Sequence, residues 1–263
     1  MLPSLIYDKI IDGNYKQFLD KDLANCIDSL PAESHLKSIL KQSFVINRPM
    51  NKVGGDGYWL YDNGQEFFLV VFDCMGHGPL ANIMTRKYVK VIETVVKKEK
   101  FSYPSVILEQ IHHHIAQEFG NIGDDRVGSG ADMGVVSYKP SSRKLQYAGA
   151  KMDLAQISDG QISLQKGDKL QVGEIFDRNH VYNTTEMKLP KSSSTFFLYS
   201  DGATDLMGGE KNKKMGKKRL INILERSYFL PVEEARSYIE KQLNLWMGDN
   251  MQIDDILLIG FTI

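Results

Sequence analysis

The stretch Asp56-Gly57-Tyr58-Trp59-Leu60-Tyr61-Asp62-Asn63-Gly64-Gln65-Glu66-Phe67-Phe68-Leu69-Val70-Val71-Phe72-Asp73 decides how the chain is read. Tyr58, Leu60 and the apolar run from Phe67 to Phe72 have the aromatic and β-branched content of strands. Asp62-Asn63-Gly64 between them is turn chemistry, so the segment is predicted to be an antiparallel hairpin. With a two-residue turn at Asn63-Gly64, Asp62 faces Gln65 and Asp73 faces Gly54. Asp56 is then a diagonal neighbour of Asp73 on the same face, about 7–8 Å away. Two carboxylates at that separation can share ions or a bridging water. Gly54-Gly55 beside them removes side-chain bulk where backbone must come close to another group.

Outward from the hairpin, helices are predicted at residues 79–97, entered through a proline suited to a first helical turn, and at 104–119. A glycine-rich stretch at 120–130 precedes strands near 132–138, 144–149, 154–158 and 161–165, and 195–200 is another apolar strand. Helices near 217–228 and 232–247 lead to a last strand over 255–263. Upstream, Phe18, Cys26, Ile27, Leu30, Leu36, Ile39 and Leu40 recur at helical spacing, and Pro31 should divide that pattern into two helices. Strand character begins at Phe44. This order predicts an α+β fold: a four-layer α-β-β-α sandwich with two antiparallel sheets flanked by helix pairs. Residues 1–43 are expected to be an N-terminal helical extension, regulatory or dimerising, and 44–263 the main domain.

Composition narrows the function classes. With 32 basic against 33 acidic residues among 263, the formal charge is −1, which excludes a global electrostatic grip on nucleic acid or an anionic membrane. The purest apolar run, Phe67 to Phe72, is far short of the ~20 residues that span a bilayer, so no membrane insertion is expected. Met1-Leu2-Pro3-Ser4 is soon followed by Asp8 and Lys9, which leaves no signal-peptide core. Only Cys26 and Cys74 are present, too few for a disulfide framework, and the expected location is cytoplasmic.

Further aspartates fall at strand ends. Asp201 directly follows Phe196-Phe197-Leu198-Tyr199-Ser200, and Asp254-Asp255 precede Ile256-Leu257-Leu258-Ile259. If the last strand runs antiparallel to its neighbour, these acids meet at one sheet edge. Two unit charges 4 Å apart repel by ~4 kcal/mol at an effective dielectric of 20. A hard divalent cation such as Mg²⁺ or Mn²⁺, which prefers oxygen ligands, resolves that repulsion. Any one of these aspartates alone reads more simply as a turn residue capping local backbone. The set, in order along the chain, reads as a site.

The blocks Val53-Gly54-Gly55-Asp56, Asp73-Cys74-Met75-Gly76-His77-Gly78, Ser200-Asp201-Gly202-Ala203-Thr204-Asp205 and Asp254-Asp255-Ile256 together resemble the metal-dependent PPM-type serine/threonine protein phosphatases, in particular their bacterial SpoIIE-type branch. Arg48-Pro49 and Tyr147-Ala148-Gly149-Ala150 add to the likeness. The resemblance implies two Mn²⁺ or Mg²⁺ ions and a catalytic role for Asp73 and Asp201 through a water that bridges the metals. Asp73 matches the bridging carboxylate, with the Cys74 backbone carbonyl as a further ligand. Asp201 and Asp254 match carboxylates on one metal, with Asp255 as the register alternative, and Asp56 matches an acid reaching metal directly or through water. Asp132 occupies a position often acidic in this branch, where it would support a further metal or a loop. From the residues themselves, Arg48 or Lys52 is the expected contact to substrate phosphate.

The likeness also implies a phosphorylated protein substrate, a STAS-type anti-sigma-factor antagonist in a partner-switching pathway. The helical pattern of residues 1–43, too short for a sensor domain, separately reads as a regulatory or homodimerising extension, the alternative being a packed structural appendage. The alternative is an inactive phosphoprotein-binding module of the same fold; a phosphatase of small metabolites is a third reading. Two departures from the family pattern stand out. Trp59 replaces a second aspartate, and His77 lies four residues after Asp73 rather than two, so it is read as structural. Cys74 lacks the arginine cradle of a cysteine phosphatase. His112-His113-His114 cannot converge on one ion, because consecutive helical residues point apart. The basic run Lys211 to Arg219 reads as a solvated loop, or as a dock for an acidic partner.

Overall fold

The apolar runs that read as strands do form them. The computed structural model describes residues 30–76, 78–119, 130–173 and 181–263; the expected helix before Pro31, residues 120–129 and His77 lie outside the described residues. The chain runs through α1 (Glu33–Ile39), β1 (Ser43–Arg48), β2 (Asp56–Asp62), β3 (Phe67–Cys74), α2 (Pro79–Glu93), α3 (Pro104–Phe119), β4 (Ala131–Lys139) and β5 (Lys144–Ala150). It continues through β6 (Leu154–Ser158), β7 (Gln161–Gln165), β8 (Thr185–Lys188), β9 (Ser194–Tyr199), α4 (Gly202–Asp205), β10 (Met207–Gly208), β11 (Lys213–Lys214), α5 (Lys217–Ser227), α6 (Val232–Met247) and β12 (Ile256–Thr262). Two five-stranded sheets result, ordered β2-β3-β4-β5-β8 and β1-β12-β9-β6-β7, with every pair antiparallel.

The strands read as continuous apolar runs because each sheet is covered on both faces. In β3, Phe67, Leu69 and Val71 enter the layer between the sheets, while Phe68, Val70, Phe72 and Cys74 face α2 and α3. In β12, Leu257, Ile259 and Phe261 enter the same inner layer, and Ile256 and Leu258 face α5 and α6. Helix burial follows the three-to-four-residue period: Ile107, Leu108, Ile111 and Ile115 on α3, and Ala235, Ile239 and Leu243 on α6. The result is the four-layer α-β-β-α sandwich.

The hairpin register differs from the two-residue-turn expectation. Asp62 pairs with Phe67 and Asp56 with Asp73, so the loop is 63–66. Side chains build it: Asn63 Oδ1 accepts the Gln65 and Glu66 amides at 2.9 Å, Asp62 Oδ1 accepts the Gly64 amide at 2.7 Å, and Gly64 takes φ 83°. Because side chains alternate with period two, this change of register keeps every residue on its face. It moves Asp56 from diagonal to directly opposite Asp73.

Residues 30–42 pack with the sandwich; residues 1–29 of the expected extension lie outside the described residues. Leu36 and Leu40 join the inner layer, and Tyr58 donates its hydroxyl to the Pro31 carbonyl. Lys37 reaches Glu233 at 2.6 Å and Arg236 reaches Glu33 at 3.0 Å, tying α1 to α6. The expected helix over 79–97 leaves α geometry at Glu93 and finishes in a π turn, Thr94–Lys98, that buries Val95 and Val96. β8, whose Thr-Glu-Met-Lys has one apolar residue, carries no strand pattern in sequence.

Leu69 has no exposed surface at the centre of the inner layer, whereas Leu245 is 66% exposed. Leu69→Ala is expected to cost about 2–5 kcal/mol in denaturant unfolding through lost burial and a residual cavity. Leu245→Ala should stay within about 0.5 kcal/mol.

Candidate active site

Three carboxylates line up across adjacent strands. The register pairs Asp56 on β2 with Asp73 on β3, and Asp73 with Asp132 on β4. Parity puts all three on the inner face, beyond Tyr58, Val71 and Val136, where the apolar layer ends. The other sheet closes over them. β9 and β12 are antiparallel, so Ser200 and Asp201 at the end of one meet Asp254 and Asp255 at the start of the other. Ser200 is knotted to β12: its amide donates to the Leu257 carbonyl and its Oγ accepts the Leu257 amide, both at 2.9 Å. The same hydroxyl donates to Asp56 Oδ2 at 2.6 Å, bridging the sheets. Ser200 joins the site beyond the residues expected from sequence, where its inward parity next to Asp201 is the one signal for it.

Adjacent acids take different tasks. Asp255 is 3% exposed and accepts the Met50 amide at 2.6 Å and the Gly55 amide at 2.7 Å, clamping the loop between β1 and β2. Asp254 Oδ1 accepts the Asp255 amide at 2.9 Å. Gly54 and Gly55 are required by close approach: a Cβ on Gly54 would lie 2.8 Å from the Asp255 carboxyl, and one on Gly55 2.9 Å from the Cys74 carbonyl oxygen. Thr85 Oγ1 on α2 donates to the Gly55 carbonyl at 2.6 Å, and Asn82 Nδ2 reaches the Gly54 carbonyl at 3.3 Å. Asp132 Oδ1 accepts Gln171 Nε2 at 2.7 Å.

The other expected residues are dispersed. Arg48 turns to the helix-facing side of β1, donating to Asn244 Oδ1 at 2.7 Å with Glu240 at 3.9 Å, away from the carboxylate row. Lys52 is exposed in the clamped loop. Trp59 is buried on the helix-facing side of β2. The Cys74 thiol is buried on that side too, and burial pushes its pKa well up, which suits packing and not nucleophilic attack. The histidine triplet diverges: His112 Nδ1 accepts the Gly173 amide at 3.2 Å, His113 Nδ1 meets the Glu109 carbonyl at 2.6 Å, and His114 Nε2 meets Glu99 at 3.0 Å.

Burial and mutual repulsion dominate the electrostatics. Burial raises Asp56 to about 7, the Ser200 hydrogen bond opposing and the Asp255 and Asp254 charges adding to the rise. Burial also lifts Asp73 well above the usual carboxylate range, with Asp56, Asp201, Asp132 and Asp254 all pushing the same way. Asp201 opens to solvent at the rim, yet partial desolvation and then Asp205 raise it as well. An oxygen-only donor set with buried like charges suits a hard divalent cation. Among the described residues no three acidic, histidine or cysteine side chains already form a closed metal set. Asp56 is turned to Ser200, Asp132 to Gln171 and Asp255 to backbone amides.

Folded Asp56 and Asp73 hold protons that the unfolded chain releases near 3.8, so metal-free stability is lost as pH rises from there through about 7. The melting temperature of the metal-free chain should fall between pH 5 and pH 8. Asp73→Asn should raise it at pH 8 and flatten the slope, and Mn²⁺ should restore the parent chain at pH 8. A melting temperature independent of pH and metal would contradict this account.

The sequence model of the stage II sporulation protein E (SpoIIE) family matches residues 63–263. Among solved structures, the SiaA-PP2C domain of Pseudomonas aeruginosa is similar at 26% identity and a TM-score of 0.82, over 94% of this chain and 96% of that one. The PP2C phosphatase domain with a fragment of the regulatory domain of SpoIIE from Bacillus subtilis matches at 12% identity and TM-score 0.67, over 84% of this chain and 62% of that one. The RsbU and RsbW domains of a Mycobacterium tuberculosis protein match at 16% identity and TM-score 0.64, over 84% and 59%. A search of curated protein sequences found no match. The last two structures show likeness of fold; the family match spans most of the chain. With two antiparallel sheets between helix layers and aspartates gathered at their shared edge, the chain belongs to the SpoIIE family of PPM-type (PP2C) phosphatase folds.

Proposed function

We propose that this chain is a metal-dependent phosphatase acting on phosphoserine or phosphothreonine in a protein. The observation that carries the reading is the row Asp56, Asp73, Asp132 facing Asp201 and Asp254 across the sandwich mouth. The residues that would hold two Mn²⁺ or Mg²⁺ ions are Asp73, the Cys74 carbonyl, Asp56, Asp201 and Asp254, with Asp132 at the margin. When bound, such ions supply a nucleophile from water at neutral pH and neutralise phosphoryl oxygens for in-line displacement.

The chain's own residues do the positioning. Ser200 orients Asp56. Asp255 is committed to two backbone amides, so Asp254 is the better ligand and Asp255 the residue that holds the 50–55 loop in place. Lys52 on that loop is the better phosphate contact, since Arg48 is engaged with Asn244.

The substrate we favour is a phosphorylated STAS-type anti-sigma-factor antagonist in a bacterial partner-switching system. Support comes from the likeness to a chain that carries RsbU and RsbW domains. Among the described residues no helix is long and apolar enough to cross a membrane, in keeping with action in the cytoplasm. Self-association through residues 1–43 completes the proposal, and a monomeric sedimentation mass for the full chain would remove it.

The full chain should hydrolyse a phosphoserine peptide with Mn²⁺ and lose that activity with chelator. Asp73→Asn and Asp201→Asn should each lower kcat/KM at least about 100-fold, the equivalent of about 2.7 kcal/mol of transition-state stabilisation. Metal-independent turnover, or full turnover in both variants, would overturn the proposal. Tight phosphopeptide binding without turnover would favour the inactive binding module.

A further inference from the structure

The basic run after Asp201 is built into a fixed hairpin at the rim of the carboxylate cluster. Asp201 and Asp205 are four residues apart at α4, and Asp205 accepts the ammonium of Lys214 at 2.5 Å. Backbone bonds from Gly216 to the Thr204 carbonyl at 2.8 Å and from Met215 to the Leu206 carbonyl at 2.9 Å hold the returning strand against α4. Trp246 on α6 is the post to which the hairpin is tied. Its Nε1 donates to the Leu206 carbonyl at 2.9 Å, its carbonyl accepts the Gly209 amide at 2.9 Å, and Arg219 stacks on its ring at 4.4 Å. A Cβ on Gly208 would come within 1.8 Å of the Trp246 carbonyl oxygen, so the hairpin seats directly on α6. Met215 is buried beneath it.

A loop needed only as a connection would not require such anchoring, and its charge is unbalanced. Lys214 is spoken for by Asp205 and Lys217 by Asp153. Lys211, Lys213 and Lys218 are exposed and make no ion pair among the described residues, with Glu210 the one acid in the segment. Three uncompensated cations thus stand on the segment that follows Asp201, 10 to 17 residues along the chain, and Lys214 ties that segment to the site through Asp205. Loops bordering the carboxylate cluster expose apolar side chains: Met50 at 38%, whose amide binds Asp255, Met251 at 82%, and Ile253 at 47%, directly before Asp254. A small phosphate ester has no use for this surface, whereas a folded or extended protein does.

We infer that the β10–β11 hairpin and the start of α5 form a docking surface for acidic side chains flanking the phosphorylated residue of a protein substrate. The inference rests on the phosphatase reading and names the substrate class of that same site. The physical role is to offset the repulsion that a carboxylate-lined mouth exerts on an acidic partner and to steer encounter. Exposed pairs contribute little singly, so the effect lies in the set and in its dependence on salt.

Two phosphoserine peptides of equal length, one with Asp and Glu flanks and one with Gln and Ser flanks, test it on the full Mn²⁺-supplemented chain. The ratio of their kcat/KM values should favour the acidic peptide on the order of tenfold at low salt and approach unity near 1 M salt, where the Debye length is about 3 Å. Lys211→Glu/Lys213→Glu and the neutral pair Lys211→Gln/Lys213→Gln, each checked for an unchanged melting temperature, should abolish the preference. No preference in the parent chain, or a preference retained in both variants, would overturn the docking surface. Fluorescence anisotropy with the same peptides reads docking without turnover. Failure of hydrolysis on both peptides would therefore sink the phosphatase reading, while the binding ratio would still decide the inference.

Discussion

Like charge buried at the mouth of an apolar layer is the constraint around which this structure is arranged. Asp56, Asp73 and Asp132 sit side by side on three adjacent strands, where the inner layer of Leu60, Leu69 and Val136 gives out. Carboxylates so placed must be protonated, hydrogen-bonded or balanced by a cation. The surroundings provide the second of these in part, through Ser200 on Asp56 and Gln171 on Asp132. Burial still pushes the Asp56 and Asp73 carboxyls upward, which leaves a role for protons or cations. A fold optimised only for stability would put apolar residues there.

The same constraint explains the irregular loops around the cluster. Asp255 spends both carboxyl oxygens on backbone amides of one loop, and Gly54-Gly55 lets that loop lie against the carboxylate and the Cys74 carbonyl at once. α2 then locks it from outside through Thr85 and Asn82. Side-chain precision at the cluster therefore depends on backbone contacts between β1, β2, α2 and β12, elements distant in sequence. Positioning of this kind leaves little to reorganise when substrate arrives.

The near-zero net charge of the chain conceals a sharp local separation. A lysine-bearing hairpin is joined to the carboxylate-lined mouth through the Lys214–Asp205 pair, Asp205 lying one helical turn after Asp201. Fields of opposite sign at that spacing orient a charged partner more effectively than a uniform surface does.

Much was legible without the fold. The continuous apolar runs at 67–72 and 256–259 announced strands, and the aspartates bounding them marked one sheet edge, because pattern and turn chemistry are local properties. Local pattern carried the order of the longer strands and helices, the shared face of Asp56 and Asp73, and the four blocks of the family likeness, while β8, with its one apolar residue, left no trace in it. Only the tertiary structure decided that Asp56 stands opposite Asp73, since the register hangs on Asn63 and Asp62 building a four-residue loop. It alone separated Asp254 from Asp255, turned Arg48 toward Asn244, and brought Ser200 to Asp56 across 144 residues of chain. Those are contacts between separate strands and loops, and their partners are chosen by packing that no local pattern encodes.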